Sequence, residues 1–403
     1  MEMQGKAMCE KQTMPQIKAA NFDLFATGFA LFSMFFGAGN LIFPLLIGKS
    51  VGPHWWYAVL GLALTAVIVP FLGLAGMVFF DADCKRFFGR IGALPGFLLL
   101  LLLQLILGPF GVIPRLITLM HAIVKPYFSD IPLPMFTLIA TLLIFVCSFR
   151  RQNLIQVLGV VLTPILLLCL ASLFYLGFAD RSSFPLVTVS AKESFLEGLL
   201  GGYNTMDLIA AFLFATVVLP HFQQEVRGDG CLNSKQALSK KMFFTSLIAA
   251  ALLLFTYIGL CFISAHHGSA ISNSSSEELL GSIAHQLLGR TGGLIAAVAI
   301  VTACLTTAIT LTMIFADYLQ KELCSEKISS MTALIATLAI TACFANLGFA
   351  NIAAFLSPIL QICYPGLIVL TLLNILYYFT GFKIIKTPVF LTFLASALFY
   401  FFG

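Results

Sequence analysis

Phe35-Phe36-Gly37-Ala38-Gly39-Asn40 (FFGAGN) interrupts a long apolar run, residues 22–47, that otherwise reads as one continuous helix. Glycine is a poor helix former, and here two glycines stand two residues apart, followed by an amide side chain in an oily context. The interruption has two readings. Gly37 and Gly39 can be small faces for close helix packing in a membrane. Alternatively the helix unwinds, freeing backbone N–H and C=O groups that at membrane depth must be satisfied by something bound: a carboxylate at a half-helix N-terminus, or a cation at carbonyls. Asn40 favours unwinding, since packing alone has no use for an amide, and a span of 26 residues leaves slack for a few outside helical register.

The rest of the chain supplies the oily context. Of its 403 residues 60% are hydrophobic and only 10% charged, against roughly 25% charged in a soluble domain. The net charge of +5 is small and the basic residues are scattered between apolar runs, so nucleic-acid binding is excluded as a function class. Ten cysteines form no C-x-x-C pair and mostly lie in apolar runs, where a thiol is a small hydrophobe; neither disulfides nor a cysteine metal site are expected. Residues 1–20 mix lysines and acids ahead of an apolar run too long for a signal peptide, and read as a retained cytoplasmic tail.

About 20 apolar residues cross the hydrocarbon, and that ruler gives twelve candidate spans: 22–47, 55–79, 95–121, 133–148, 154–178, 195–220, 242–264, 291–318, 330–346, 350–364, 365–380 and 387–402. The tenth and eleventh abut at Tyr364-Pro365-Gly366. With the N-terminus inside, 14 of the 22 Lys and Arg fall in inner segments, and the even count places Gly403 inside too. A weak internal echo suggests halves. Val161-Leu162-Thr163-Pro164-Ile165-Leu166 resembles Phe355-Leu356-Ser357-Pro358-Ile359-Leu360, offset by 194 residues, and Phe36-Gly37-Ala38 loosely resembles Phe214-Ala215-Thr216, offset by 178. Five spans separate the partners each time, and an odd number per half requires the halves to be inserted in opposite orientations. The reading is an all-α integral membrane protein of about twelve helices: a first five-helix repeat over 21–180, an inverted second over 195–364 and two further helices over 365–403.

Soluble-enzyme motifs fail. Gly48-Lys49-Ser50 lacks the glycine of a phosphate-binding loop, having Phe43 in its place, and Gly37-x-Gly39 lacks the third glycine of a dinucleotide fingerprint. His266 and His267 read as solvated loop residues. Two polar clusters remain. The eighth span carries five threonines within residues 302–312, and Ala303, Thr306 and Thr307 at i, i+3 and i+4 stack a carbonyl and two hydroxyls on one face, hard oxygen ligands suited to an alkali cation such as sodium. Each threonine taken alone would ordinarily bond back one turn. In the sixth span Asp207 lies in an apolar context, a functional candidate by default, with a structural pairing to Arg115 as the alternative. Met206, Phe212 and Phe214 beside it read as packing, or as the lining of an apolar pocket.

Leu31-Phe32-Ser33-Met34-Phe35-Phe36-Gly37-Ala38-Gly39-Asn40-Leu41-Ile42-Phe43-Pro44 resembles the opening signature of the bacterial branched-chain amino acid:cation symporters. Family-like segments follow in order at Gly108-Pro109 through Ile113-Pro114-Arg115, at Leu162 to Leu166, at Gly202 to Asp207, at Leu305 to Ile309 and at Tyr364-Pro365. The resemblance implies the amino acid–polyamine–organocation superfamily and a leucine-transporter-like fold, five helices plus an inverted five, with helices 1 and 6 broken. It places Gly37, Ala38, Gly39 and Asn40 at the substrate carboxylate. It also implies a sodium site of Ser33 and Phe36 carbonyls opposite Ala303, Thr306 and Thr307, with no other cofactor. An apolar wall of Phe36, Met206, Phe212, Phe214 and Ala215 then receives the side chain. The sixth span reads Phe214-Ala215-Thr216 where the family shows a Phe-Gly pair, leaving the position of its break open.

The expected function is therefore cation symport, with sodium as the candidate ion, of leucine, isoleucine or valine across the bacterial inner membrane, both termini cytoplasmic. A proton-coupled or exchange-type carrier using Asp207 is one alternative. A non-transporting amino acid sensor or an ion channel is another.

Overall fold

Inside a bilayer every backbone polar group must be paired within the chain, so the apolar runs have one economical solution, the helix. A computed structural model describes residues 13–128, 131–148, 163–179, 188–228, 234–267 and 278–402. Among them the chain is all-helical, without strands. The expected tail lies partly outside these residues, as do Val161-Leu162 of the echo; from Thr13 onward the tail already belongs to the first helix.

The first candidate span is two helices, α1 (Thr13–Phe35) and α2 (Ala38–Val51). Gly52, at φ 50°, then turns the chain into α3 (Trp55–Ala63), which continues through a wide π turn at Leu64–Ile68 into α4 (Val69–Phe79). After the short α5 (Cys84–Phe88), the third span is also split: α6 (Ala93–Leu107) and α7 (Val112–Val124) flank Gly108-Pro109-Phe110-Gly111. Next come α8 (Leu133–Ser148), α9 (Thr163–Ala179), α10 (Ala191–Thr205), α11 (Asp207–Gly228), α12 (Ser234–His267), α13 (Leu279–Tyr318, bent at Gly289), α14 (Ser330–Ala345), α15 (Phe349–Thr380) and α16 (Lys386–Phe402). Among the described residues six segments are long and apolar enough to cross a membrane, and five shorter helices are apolar.

Side-chain distribution shows which solvent the helices face. On α8, Leu138, Leu142 and Val146 are 69%, 61% and 58% exposed, whereas Thr137, Thr141 and Ser148 are buried. That is polar inside and apolar outside, the arrangement lipid imposes. Threonines manage this at little cost because their hydroxyls bond back one turn, as Thr141 does to the Thr137 carbonyl at 2.8 Å. Glycines set the closest contacts: a Cβ at Gly61 would collide with the Phe195 carbonyl and one at Gly198 with that of Ala58, so α3 and α10 touch backbone to backbone. Around the centre, α12 packs on α1 and α2, α11 on α4, and α13 on α7.

Two expectations change. The tenth and eleventh spans are one helix, α15: Pro365-Gly366 does not stop it, and the stop is Gly381 at φ 72°, whose N–H reaches the Tyr377 carbonyl at 2.9 Å. Gly366 instead makes room for the Phe393 ring of α16. The even count that put Gly403 on the same side as the N-terminus rested on two spans here. The second change concerns His266 and His267, which are buried at the end of α12, the former against the Phe262 ring at 4.4 Å, rather than solvated. Lys85 pairs with Glu322, and the Arg90 guanidinium lies 3.7 Å over Tyr377, which gathers the α4–α6, α13–α14 and α15–α16 connections at one end of the bundle.

Candidate functional site

The first break forms as the glycines suggest. Phe36 N–H still bonds to the Phe32 carbonyl at 2.8 Å, but Gly37 N–H turns to the Phe35 carbonyl at 2.8 Å and to Asn40 Oδ1 at 3.3 Å, and α2 starts anew at Ala38. Asn40 is thus a local clamp on the break. Both initial readings hold at different glycines. Gly37 sits in the break, with φ −108° and ψ −166°, while Gly39 is a contact surface: a Cβ there would come within 3.0 Å of Thr205 Cα.

Thr205 marks the second break. α10 ends there, Met206 takes φ 65° in the left-handed region, and Asp207 opens α11. A non-glycine residue in that region costs of order 1–3 kcal/mol and persists where its surroundings over-determine it. Phe214-Ala215-Thr216, matched by the internal echo, lies inside unbroken α11; Thr216 Oγ1 only bonds back to the Leu213 carbonyl at 2.6 Å. The break precedes it because the polar run Asn204-Thr205-Met206-Asp207, after Gly201-Gly202, supplies the groups that an interrupted helix needs. The accounting is close: Thr205 Oγ1 caps the Gly202 carbonyl at 2.8 Å, Met206 N–H the Tyr203 carbonyl at 3.2 Å, Arg115 Nη1 reaches the Asn204 carbonyl at 3.4 Å, and Tyr364 Oη accepts from Leu208 N–H at 3.0 Å.

One side chain ties the two breaks together. Asn40 Nδ2 donates to Asp207 Oδ1 and Oδ2 at 2.9 and 2.8 Å and to Tyr257 Oη at 2.5 Å, and Tyr257 donates to Asp207 Oδ2 at 2.9 Å. All three residues are at most 1% exposed. The Asp207–Arg115 pairing that the sequence allows does not form. Sequence patterns single out neither Tyr257 nor Tyr364 as a site residue, although a tyrosine in an apolar span always raises the question of where its hydroxyl bonds.

Against the other side of the first break lies α13. Thr307 Oγ1 stands 3.1 Å from the Ser33 carbonyl, 3.5 Å from that of Phe36 and 3.2 Å from that of Ala303, and Thr306 Oγ1 is 2.7 Å from the Ala303 carbonyl. Three carbonyls and two hydroxyls, all buried, therefore converge from α1 and α13. Neutral hard oxygens in that number suit a monovalent cation.

Between the breaks runs a cavity of about 20 Å³, lined among others by Phe35, Gly37, Ala38, Gly39, Asn40, Arg115, Met206, Asp207, Phe214 and Thr307. Its apolar wall is formed by Phe35 and Phe214, in edge contact at 5.2 Å, with Met34, Leu107 and Leu311. Phe36 stacks on Phe32 at 5.0 Å, Phe212 packs on Phe87 and Phe88 at 5.2 and 5.3 Å, and Ala215 is buried within α11; none of these three faces the cavity.

A family profile described as branched-chain amino acid transport protein matches residues 20–401. The chain belongs to that family. Among its relatives, the branched-chain amino acid permease BraB of Bacillus subtilis is 31% identical over 360 residues, spanning 87% of this chain and 79% of that protein. A putative branched-chain amino acid carrier protein of Staphylococcus aureus (strain USA300) is also 31% identical, over 405 residues, 93% of this chain and 87% of the relative. In fold, the chain is similar to the inward-facing conformation of Mhp1, with a TM-score of 0.59 at 14% identity over 93% of this chain and 88% of that one. A substrate-bound, outward-open Na+-coupled sialic acid symporter gives 0.58 at 11% identity over 94% and 88%. At such identities the likeness concerns the fold alone.

Proposed function

We propose that the protein is a secondary transporter that carries leucine, isoleucine or valine into the cytoplasm together with a cation, sodium being the ion its oxygens suit. The observation that carries this reading is the meeting of two helix breaks at Asn40 and Asp207, with five oxygens from α1 and α13 converging beside the first break. A cation held there bridges α1 to α13 and so favours the arrangement in which the first break is set for substrate. By linkage the substrate favours cation binding equally. Each unit charge moved inward draws roughly 2.3 kcal/mol per 100 mV from the membrane potential. The cavity has room for about one water, so loading an amino acid requires the helices around it to part, as alternating access demands. Phe35 and Phe214 present the apolar surface a branched side chain needs.

The two inverted five-helix halves are supported by the paired breaks, α1/α2 in the first and α10/α11 in the second. With α15 counted once, the spans number eleven. Lys383 and Lys386 then lie at the same end as Lys85 and Arg90, the inner share of basic residues rises from 14 to 16 of 22, and α16 ends on the side opposite the N-terminus.

Labelled leucine uptake into proteoliposomes under an imposed sodium gradient tests the reading. Accumulation above equilibrium, abolished when choline replaces sodium inside and out, is the expected result. Leucine binding without transport would leave a sensor, and ion current without accumulation a channel. A buried carboxylate bonded to Tyr257 and Asn40 favours one further possibility, proton coupling through Asp207. Sodium-independent uptake that disappears in Asp207→Asn would establish it.

A further inference from the structure

Among the described residues Arg115 is a buried cation without a counterion. It is 2% exposed, and among these residues its Nε and Nη2 have no hydrogen-bond partner and Nη1 makes only the long contact to the Asn204 carbonyl. Phe43 and Phe349 flank the guanidinium, their ring centres 5.1 and 4.9 Å from Cζ. Among the described residues no carboxylate lies within ion-pair distance of it. The nearby acid, Asp207, spends its oxygens on Asn40 and Tyr257. A desolvated, unpaired guanidinium is among the costliest groups a fold can carry, and it persists only where something compensates it. The C-terminus of α10 is attractive to a cation but holds partial charge only.

Arg115 also opens onto the cavity between the breaks, facing the same space as Gly37, Gly39 and Asp207. Its position follows from the Gly108–Gly111 interruption: α7 restarts there, with Arg115 N–H on the Gly111 carbonyl at 3.1 Å, in its first turn. The family resemblance assigns the substrate carboxylate to the backbone amides of α2. A planar fork with free donors is a better complement to two carboxylate oxygens than a helix N-terminus carrying about half a charge.

We propose that Arg115 receives the carboxylate of the transported amino acid. This rests on the reading that the cavity takes an amino acid. The carboxylate supplies the missing counterion, so the guanidinium is unpaired in the empty site and paired in the loaded one. The α-ammonium then falls toward Asp207 and the side chain toward Phe35 and Phe214. The amides of α2 become secondary donors.

The test compares an amino acid with its carboxamide. A thermal-shift panel of the twenty amino acids on purified protein in sodium selects the best ligand; leucine is expected, and its affinity is then measured beside that of leucinamide. Wild type should prefer the acid. Arg115→Gln should weaken the acid roughly 10- to 100-fold while leaving the amide unchanged or tighter, so that the ratio collapses, and Arg115→Lys, which keeps the charge without the fork, should fall between. If Arg115→Gln proves unstable, the ratio in Arg115→Lys decides alone. Equal weakening of acid and amide, or an unchanged ratio, would make Arg115 merely structural and overturn the proposal. So would a wild-type affinity for the acid that rises in chloride over gluconate, since a halide that stays bound would then be the counterion; a chloride that competes with the acid fits the proposal. A different best amino acid with the same acid-over-amide ratio would revise the function and leave Arg115 in place. No response to any amino acid would sink both.

Discussion

The two helix breaks do one job with different materials. The first is built from small residues and an amide: Gly37 sits at a φ of −108° that any residue could adopt, and Asn40 Oδ1 holds its N–H. The second contains no glycine at the break itself; Met206 accepts a left-handed φ of 65°, and charged residues surround it, Asp207 at the head of α11 and Arg115 against the Asn204 carbonyl. At the neutral break the Ser33 and Phe36 carbonyls turn to the Thr307 hydroxyl, and in the proposed function it is these carbonyls that would take the cation. The charged break would take the zwitterion. Asn40 belongs to both, so the division of labour depends on it.

Removing that shared residue should have the largest effect. Asn40→Ala takes both amide bonds from Asp207 and the acceptor from Gly37 N–H. Hydrogen bonds to a buried charge are worth about 1.5–3 kcal/mol, so leucine uptake should drop by roughly 10- to 100-fold or more, with a lower melting temperature. Tyr257→Phe removes a single bond to the carboxylate and should cost less. If the two variants are equally impaired, the amide does not couple the breaks.

Second in size is the asymmetry in cation dependence. Thr307→Ala deletes the hydroxyl that α13 places among the carbonyls of the first break, and should raise half-saturating sodium by about tenfold or more, while Thr307→Ser retains it. Thr205→Ala at the second break removes the bond to the Gly202 carbonyl and the hydroxyl's interaction with Asp207, but nothing among the carbonyls that face Thr307. Its sodium dependence should match wild type. A sodium response in Thr307→Ala that is unchanged from wild type, measured as initial uptake rate against sodium concentration, removes the proposed cation site.

How far the sequence foretells this contrast depends on which break is considered. Gly37-Ala38-Gly39-Asn40 announces itself, because two glycines and an amide are costly in hydrocarbon unless the helix opens or packs closely there. The i, i+3, i+4 set of Ala303, Thr306 and Thr307 is a local pattern that survives folding unchanged. The internal echo pairs the first break with Phe214-Ala215-Thr216 and leaves the position of the second open; it lies eight residues earlier, at Met206, where a left-handed methionine leaves no compositional trace and the only sign is the polar run around it. Tyr257 and Tyr364 are illegible for another reason. Their roles come from α12 and α15, far away in the chain, and a lone hydroxyl does not say which helix will meet it. Pro365-Gly366 misleads in the opposite sense: the signal is real in water, but within a membrane helix proline is tolerated and the glycine serves the Phe393 ring.

The remaining contrast lies within the first break. Gly39→Ala would bring a Cβ to 3.0 Å from Thr205 Cα, a backbone atom that cannot turn aside, and should cost about 1–3 kcal/mol in stability as α2 and α10 are pushed apart. Gly37→Ala should be nearly neutral for stability, within about 1 kcal/mol: its φ is negative, and the new methyl would meet the ends of Leu116 and Thr307 at 3.6 Å and the Phe35 carbonyl at 3.8 Å, all ordinary contacts. Its effect on leucine affinity is the informative measurement. A stable Gly37→Ala variant that no longer binds leucine would mean that the glycine is kept bare for a ligand that must approach its backbone, whereas a stable variant with full affinity would move the ligand away from Gly37 and toward the charged side of the cavity.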